Sequence, residues 1–314
     1  MRREALKVDE DGSSTFGRPV GRIQYGNRLS ESASGSTTYL SRCSRELSSS
    51  SSRSRVVLAL LIGVCALFGL AIGSFLNVVI YRVPLHKSIV SPRSSCPTCA
   101  APILERDNIP VLSWLLLKGK CRSCRAPISV RYPLVELSCA ALFAGAAARY
   151  GFNWYLPVAL VLLASLLALS WIDLEHLLLP KSIIYLSLVI MLGLLVVDAS
   201  VTDSWHRLLI AGACSAAWFV LFFAINAASP RALGFGDVRL ALILGIGLGW
   251  LGIRYAILGF FASNFLGAII GIYLIATSRR TRDQPLPYGV YLALGTALTL
   301  YAGPELLAPF QGLH

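Results

Sequence analysis

Residues 56 to 81 read VVLALLIGVCALFGLAIGSFLNVVIY, 26 residues between Arg55 and Arg82 without one Asp, Glu, Lys or Arg. About 20 apolar residues in a helix cross the hydrocarbon core of a bilayer, so this stretch predicts a transmembrane helix. Further uncharged tracts run 150 to 172, 208 to 230, 255 to 278 and 284 to 304. Three shorter ones, 137 to 148, 182 to 197 and 240 to 253, reach spanning length once flanking charged side chains are counted as extending to the interface. The expected fold is an all-α polytopic membrane protein of about eight transmembrane helices. Composition agrees, because only 14% of the 314 residues are charged whereas a soluble domain carries about 25%. A soluble globular fold is excluded.

Working outward from that first span, residues 1–55 hold ten Lys/Arg, six Asp/Glu and the Ser48 to Ser52 run without apolar periodicity, the composition of a disordered tail. It is not a signal peptide, since its basic residues are scattered and the apolar tract behind it is too long. On the other side, residues 82–132 form the only sizeable polar insertion, with nine Lys/Arg against Glu105 and Asp107, net +7. Residues 133–314 hold the remaining seven helices. If 82–132 is cytoplasmic, loops 173–182, 228–237 and 278–286 share its side and carry Lys181, Arg231 and the Arg279, Arg280, Arg282 cluster. The opposite loops offer Arg149, Arg207 and Arg254, so the positive-inside rule favours that orientation with both termini outside. Arg53 and Arg55, which abut the first span, oppose it. No internal repeat of fixed period is evident, and the many glycines within the spans read as sites of close helix packing.

The insertion contains Cys96-Pro97-Thr98-Cys99 and Cys121-Arg122-Ser123-Cys124, with 21 residues between the pairs. Two CxxC knuckles so spaced predict a tetrahedral four-thiolate zinc site in a small zinc-ribbon-like domain. Some fifty residues with few large apolar side chains also need such a staple. Zinc is favoured over disulfides, because a cytoplasmic loop is kept reduced. Cys43, Cys65, Cys139 and Cys214 are isolated and read as small hydrophobes. The +12 net charge resides mainly in the tail and this domain; with no RNA-binding signature and a tether at both ends, contact with lipid or a membrane-embedded substrate is expected and nucleic acid is not.

Acidic residues are scarce beyond 132: Glu136, Asp173, Glu175, Asp198, Asp203, Asp237, Asp283 and Glu305. Asp198, Asp203, Asp283 and Glu305 read as solvated loop or terminal charges. Asp173 ends one apolar span, and Asp237 closes Gly234-Phe235-Gly236-Asp237 at the start of another, at the same depth in this topology. A carboxylate at membrane depth costs a few kcal/mol, so each is a functional candidate. Two close together share a proton, and such a pair hydrolyses peptides, one member taking a proton from water while the other polarises the carbonyl. A GxGD alone reads better as a turn capping the following helix, and it is Asp173 that favours the pair.

At these residues the sequence resembles the type IV prepilin leader peptidase family, from about Gly63 to Gly303. The marks are Gly73-Ser74-Phe75-Leu76-Asn77-Val78-Val79-Ile80-Tyr81-Arg82, both CxxC pairs with Asp107-Asn108-Ile109-Pro110-Val111-Leu112-Ser113-Trp114 between them, and Arg131-Tyr132-Pro133-Leu134-Val135-Glu136. Further marks are Asp173 with Leu179-Pro180, the GFGD, and Pro287-Tyr288-Gly289 before Leu292-Ala293-Leu294-Gly295. The resemblance implies a bacterial inner-membrane aspartic endopeptidase that removes the basic leader of prepilins and pseudopilins after a glycine on the cytoplasmic side. Many members then methylate the new N-terminus with S-adenosylmethionine. Asp173 and Asp237 fall on the catalytic pair, and Cys96, Cys99, Cys121 and Cys124 on the zinc tetrad of the bifunctional bacterial type.

Lys181, Arg239 and Val290 depart from the family's usual residues, and Lys181 would add a cation near Asp173. Gly234 and Gly236 let substrate and backbone come close, and Glu175, Glu136, Glu105 and Asp107 are candidate sites for a basic leader. Glu136 has an alternative as a snorkelling helix end. His176, without a second His at metal spacing, reads as interfacial. Presenilin-like GxGD proteases fit less well, because Ile172 precedes Asp173 and no Pro-Ala-Leu occurs. The non-enzymatic alternative is a zinc-binding membrane assembly or transport protein.

Overall fold

The computed structural model describes residues 29–91, 94–104, 107–230, 233–277 and 286–310. The chain divides into two units, Met1–Ser54 and Arg55–His314. Of the expected tail, residues 1–28 lie outside the described residues, and the backbone is helical from Leu29. The described helices are α1 (Leu29–Arg82), α2 (Leu112–Leu116), α3 (Arg131–Tyr150), α4 (Tyr155–His176), α5 (Lys181–Thr202), α6 (Trp205–Ala228), α7 (Phe235–Leu251), α8 (Ile253–Ala276) and α9 (Tyr288–Leu307). No β-ladder occurs among the described residues, which is what a chain must do in hydrocarbon, where a helix satisfies its own backbone groups.

Eight helices are long, and six are long and apolar enough to cross a membrane: residues 53–82 of α1, then α4, α5, α6, α8 and α9. The other two are α3 and α7, two of the three weaker tracts in the sequence; the third, 182–197, lies in α5, which does reach spanning length. At 17 residues α7 reaches roughly 26 Å, short of a hydrocarbon core of about 30 Å. It is nevertheless the most enclosed helix, buried on nearly every side from Asp237 to Trp250.

Small residues set the spacing. A Cβ on Gly245 would lie 2.6 Å from the Ser215 Cα, and one on Gly249 would lie 2.7 Å from the Cys214 Cβ, so α6 and α7 pack backbone to backbone. Gly69 and Gly73 do the same for α1 against Ala140 and Glu136 of α3. Polar side chains tie the bundle crosswise: the Tyr155 hydroxyl donates to the Gly247 carbonyl at 2.8 Å, and Ser165 and Ser187 hydroxyls meet at 2.6 Å.

One sequence expectation is corrected here. Asp198 is not a solvated loop charge; it is buried in the last turn of α5, 3.3 Å from the Thr202 hydroxyl that donates to it, with Trp250 as a second partner. The helix runs one turn past the apolar tract because the Thr202 and Trp250 side chains solvate the carboxylate locally.

Candidate active site

The α4 helix ends because Leu177 takes a left-handed conformation (φ 52°) and donates its N–H back to the Asp173 carbonyl. Pro180 then starts α5, since proline cannot continue a helix but suits its beginning. This short link carries Leu179 between the two carboxylates' neighbourhoods. A Cβ on Gly236 would lie 2.9 Å from the Leu179 Cβ, and one on Gly289 would lie 3.0 Å from both the Leu179 Cδ2 and the Asp173 Oδ2. Three segments distant in sequence therefore close on one point: the end of α4, the GFGD turn entering α7, and the Pro287-Tyr288-Gly289 entry to α9.

Asp173 and Asp237 are 5% and 8% exposed, and each keeps one oxygen without a hydrogen-bond partner among the described residues, Oδ2 of Asp173 and Oδ1 of Asp237. The Asp173 charge acts on Asp237, so the two lie within electrostatic reach. The backbone N–H groups of Gly289 and Val290 face the Asp173 carboxyl, and those of Gly234 and Asp237 face the Asp237 carboxyl. Lys181, expected near Asp173, is exposed at the start of α5; the groups acting on Asp173 are the two α9 amides. Buried acceptors without donors are costly, so two within electrostatic reach mark a place built to receive hydrogen from elsewhere.

The residues that the sequence did not single out by role lie in α8 and α9. The Tyr288 hydroxyl donates to the Asn264 Oδ1 at 2.6 Å and lies within electrostatic reach of Asp237. Gly289 and Val290 cradle Asp173, and Leu179 separates the glycines. Pro287-Tyr288-Gly289 was visible only as a family mark, because nothing in its own composition says that it meets Asp173.

The candidate leader-binding acids are already engaged inside the chain. Glu175 accepts from the Arg131 Nη1 at 2.7 and 2.8 Å, Glu136 accepts the Val111 N–H at 2.7 Å, and Asp107 holds Arg122 through two contacts of 2.6 and 2.8 Å. Glu105 lies outside the described residues. His176 lies 3.9 Å from Glu175. Arg239 places its guanidinium over the Phe235 ring, 4.5 Å from the centroid.

The four insertion cysteines converge, their sulfurs all within 4.8 Å of one another, with Cys96 and Cys124 3.8 Å apart. Ligands about 2.3 Å from a tetrahedral zinc stand about 3.8 Å apart, so the donor set fits that ion. The two knuckles are the same turn twice. Cys96 N–H donates to Ala101 O and Ala100 N–H to Cys96 O; 25 residues on, Cys121 N–H donates to Ala126 O and Arg125 N–H to Cys121 O. Ala100 and Arg125 both adopt positive φ, 56° and 60°. This repeat, Ser95 to Ile103 against Lys120 to Ile128, escapes a search for long periods because it occurs only twice. The N–H groups of Cys99 and Thr98 hold the Cys96 thiol down to about 6. The Ala126 N–H acts to lower Cys124, but desolvation and the three neighbouring sulfurs outweigh it and push that thiol up to about 11. A group of thiols so poised is completed by a cation.

Fold and site together define a multi-pass membrane protein with a buried aspartate pair at one end of its helices and a four-cysteine module inserted after the first. Comparison with known proteins places it in a family. Residues 67–150 match the bacterial peptidase A24 N-terminal domain, and residues 160–272, which include both aspartates, match the type IV leader peptidase family. The chain is 34% identical over 276 residues to a prepilin leader peptidase/N-methyltransferase of Stutzerimonas stutzeri, covering 79% of this chain and 93% of that one. It is 35% identical over 249 residues to the protein of that name from Bacillus subtilis, covering 79% and 97%, and 41% identical over 226 residues to that from Myxococcus xanthus, covering 69% and 66%. No solved structure matches it. The chain belongs to the type IV leader peptidase family.

Proposed function

We propose that the chain is a membrane aspartic endopeptidase that removes the basic leader of type IV prepilins or pseudopilins after a glycine, with Asp173 and Asp237 as the catalytic pair. The observation that carries this is two buried carboxyls within electrostatic reach, each with one oxygen lacking a hydrogen-bond partner among the described residues, where the end of α4 meets the glycine-bearing entries to α7 and α9. Two carboxyls brought within a few ångströms share one proton, and this pair is proposed to do so. The ionised member takes a proton from water, whose oxygen attacks the scissile carbonyl carbon; the protonated member donates to the carbonyl oxygen. Collapse of the resulting diol breaks the C–N bond as a proton passes to the leaving amine. Gly236 and Gly289 let Leu179 and the Asp173 carboxyl come close; Gly234 and Gly236, in the turn that presents Asp237, are the backbone positions proposed to meet the substrate.

Relatives named prepilin leader peptidase/N-methyltransferase support a second step, transfer of a methyl group from S-adenosylmethionine to the new N-terminal amine. The proposal assigns that donor no residue. The cysteine tetrad would hold a structural zinc, with the domain and active site facing the cytoplasm of a bacterial inner membrane. A basic leader meets Glu175 and Glu136 only by displacing Arg131 or the Val111 amide, so these acids act in recognition by exchange of partners.

The test is the mobility shift of a co-expressed prepilin with Asp173→Asn or Asp237→Asn. Each single variant is expected to abolish cleavage, because neither carboxyl can replace the shared proton. Cleavage retained in both returns the non-enzymatic alternative of a zinc-binding assembly or transport protein.

A further inference from the structure

Helix α2 presents the wrong face to water. Its leucines at 112, 115 and 116 fall at i, i+3 and i+4, so they form one stripe. That stripe is outward: Leu112, Leu115 and Leu116 are 48%, 57% and 72% exposed, while Ser113 is buried. A helix bathed in water would turn the serine out and the leucines in. An outward apolar stripe needs an apolar partner.

Where α2 sits identifies that partner. Val111, the residue before α2, donates its N–H to Glu136 at 2.7 Å. Glu136 lies five residues into α3, about 8 Å from its start, and its Cα packs on Gly73, nine residues or about 13 Å before the end of α1. The start of α2 is therefore pinned beside the membrane helices, below their ends. Trp114 follows, its indole N–H donating to the Ile128 carbonyl at 3.2 Å, with the exposed Lys118 and Lys120 just beyond. An apolar stripe at this depth, next to lysines at headgroup level, has the make-up of an interfacial helix.

We propose that α2 lies in the membrane interface with Leu112, Leu115 and Leu116 in the acyl region and Lys118 and Lys120 on anionic phospholipid headgroups, so that the cysteine module rests on the leaflet. Charge favours lipid over a prepilin leader as occupant: the 82–132 insertion carries net +7, which attracts an anionic surface and repels a basic peptide. The inference does not depend on the peptidase proposal.

Hydrogen–deuterium exchange of the full chain in nanodiscs, without substrate, tests it. Amides of 111–118 are expected to exchange several-fold more slowly in phosphatidylglycerol-containing discs than in pure phosphatidylcholine. Leu112→Ser/Leu115→Ser/Leu116→Ser should remove the protection in both lipids, with zinc content unchanged; Lys118→Gln/Lys120→Gln should remove only the dependence on phosphatidylglycerol. Should the triple serine variant lose zinc, Leu116→Trp in discs of chain-brominated lipid replaces it, with quenching beyond that of the unsubstituted protein expected. Equal exchange in both lipids with no added quenching overturns the proposal. Protection that arises only when a prepilin peptide is added overturns it in favour of substrate docking.

Discussion

The cysteine module and the aspartate pair are built on opposite principles. All four sulfurs lie within 29 residues, each presented by a six-residue turn closed by its own backbone hydrogen bonds. The carboxyls stand 64 residues apart on α4 and α7, and what brings them together is packing by residues that take no part in chemistry, Leu179, Gly236 and Gly289. A local site survives wherever its segment folds. A packed site fails when a distant helix shifts by an ångström. Substitutions should therefore separate the two regions.

The largest separation is expected from Asp173→Asn and Asp237→Asn, each lowering cleavage by at least about a thousandfold while zinc content stays at one ion per chain. Parallel metal analysis and prepilin processing of the purified variants measure both; loss of zinc along with activity would join the regions that the geometry keeps apart.

Next comes Gly289→Ala. Its new methyl group would stand 3.0 Å from the Asp173 Oδ2 and the Leu179 Cδ2, tighter than either accepts without moving. Cleavage should fall roughly 10- to 100-fold, chiefly in kcat, again with zinc retained. Wild-type kcat would show that the α9 entry does not position Asp173.

The module should respond to acid. With Cys124 pushed up to about 11, zinc uptake near neutral pH displaces at least that proton, so binding releases protons and affinity falls as pH falls. Cys96, held down to about 6, adds a further competing proton only below that value. Competition with a chromophoric chelator should show Kd rising by about tenfold per pH unit per displaced proton between pH 8 and pH 6, steepening below 6. A flat profile would mean that the sulfurs are not the ligands.

The smallest effect is expected at the join between the regions. Arg131 leaves the module and grips Glu175, two residues beyond Asp173, but the pair is partly open to solvent. Glu175→Gln should cost at most about 1 kcal/mol of thermal stability. A larger loss of cleavage than of stability would point to Glu175 as a substrate contact.

Much of this was legible in the residues. Uncharged tracts located every long helix, including the two that fall short of a full span, because no other structure satisfies backbone groups in lipid. CxxC spacing located the four-cysteine cluster, because its geometry is local. Scarcity of acid located Asp173 and Asp237. Asp198 misled for the same reason, since a carboxylate near the end of an apolar tract is solvated by water or by its neighbours, and only the position of Thr202 and Trp250 decides which.

By itself, then, the sequence determined the helices, the four-cysteine module and the candidate carboxyls, all of which follow from hydropathy and short-range spacing. Only the tertiary structure decided that Leu179 and the α9 entry close around the pair, that Glu136 and Glu175 bind the chain's own groups, and that α2 turns its leucines outward. Those facts depend on which helix ends meet, and this is set by backbone-to-backbone packing at glycines such as Gly73, Gly245 and Gly249, whose partners lie tens of residues away.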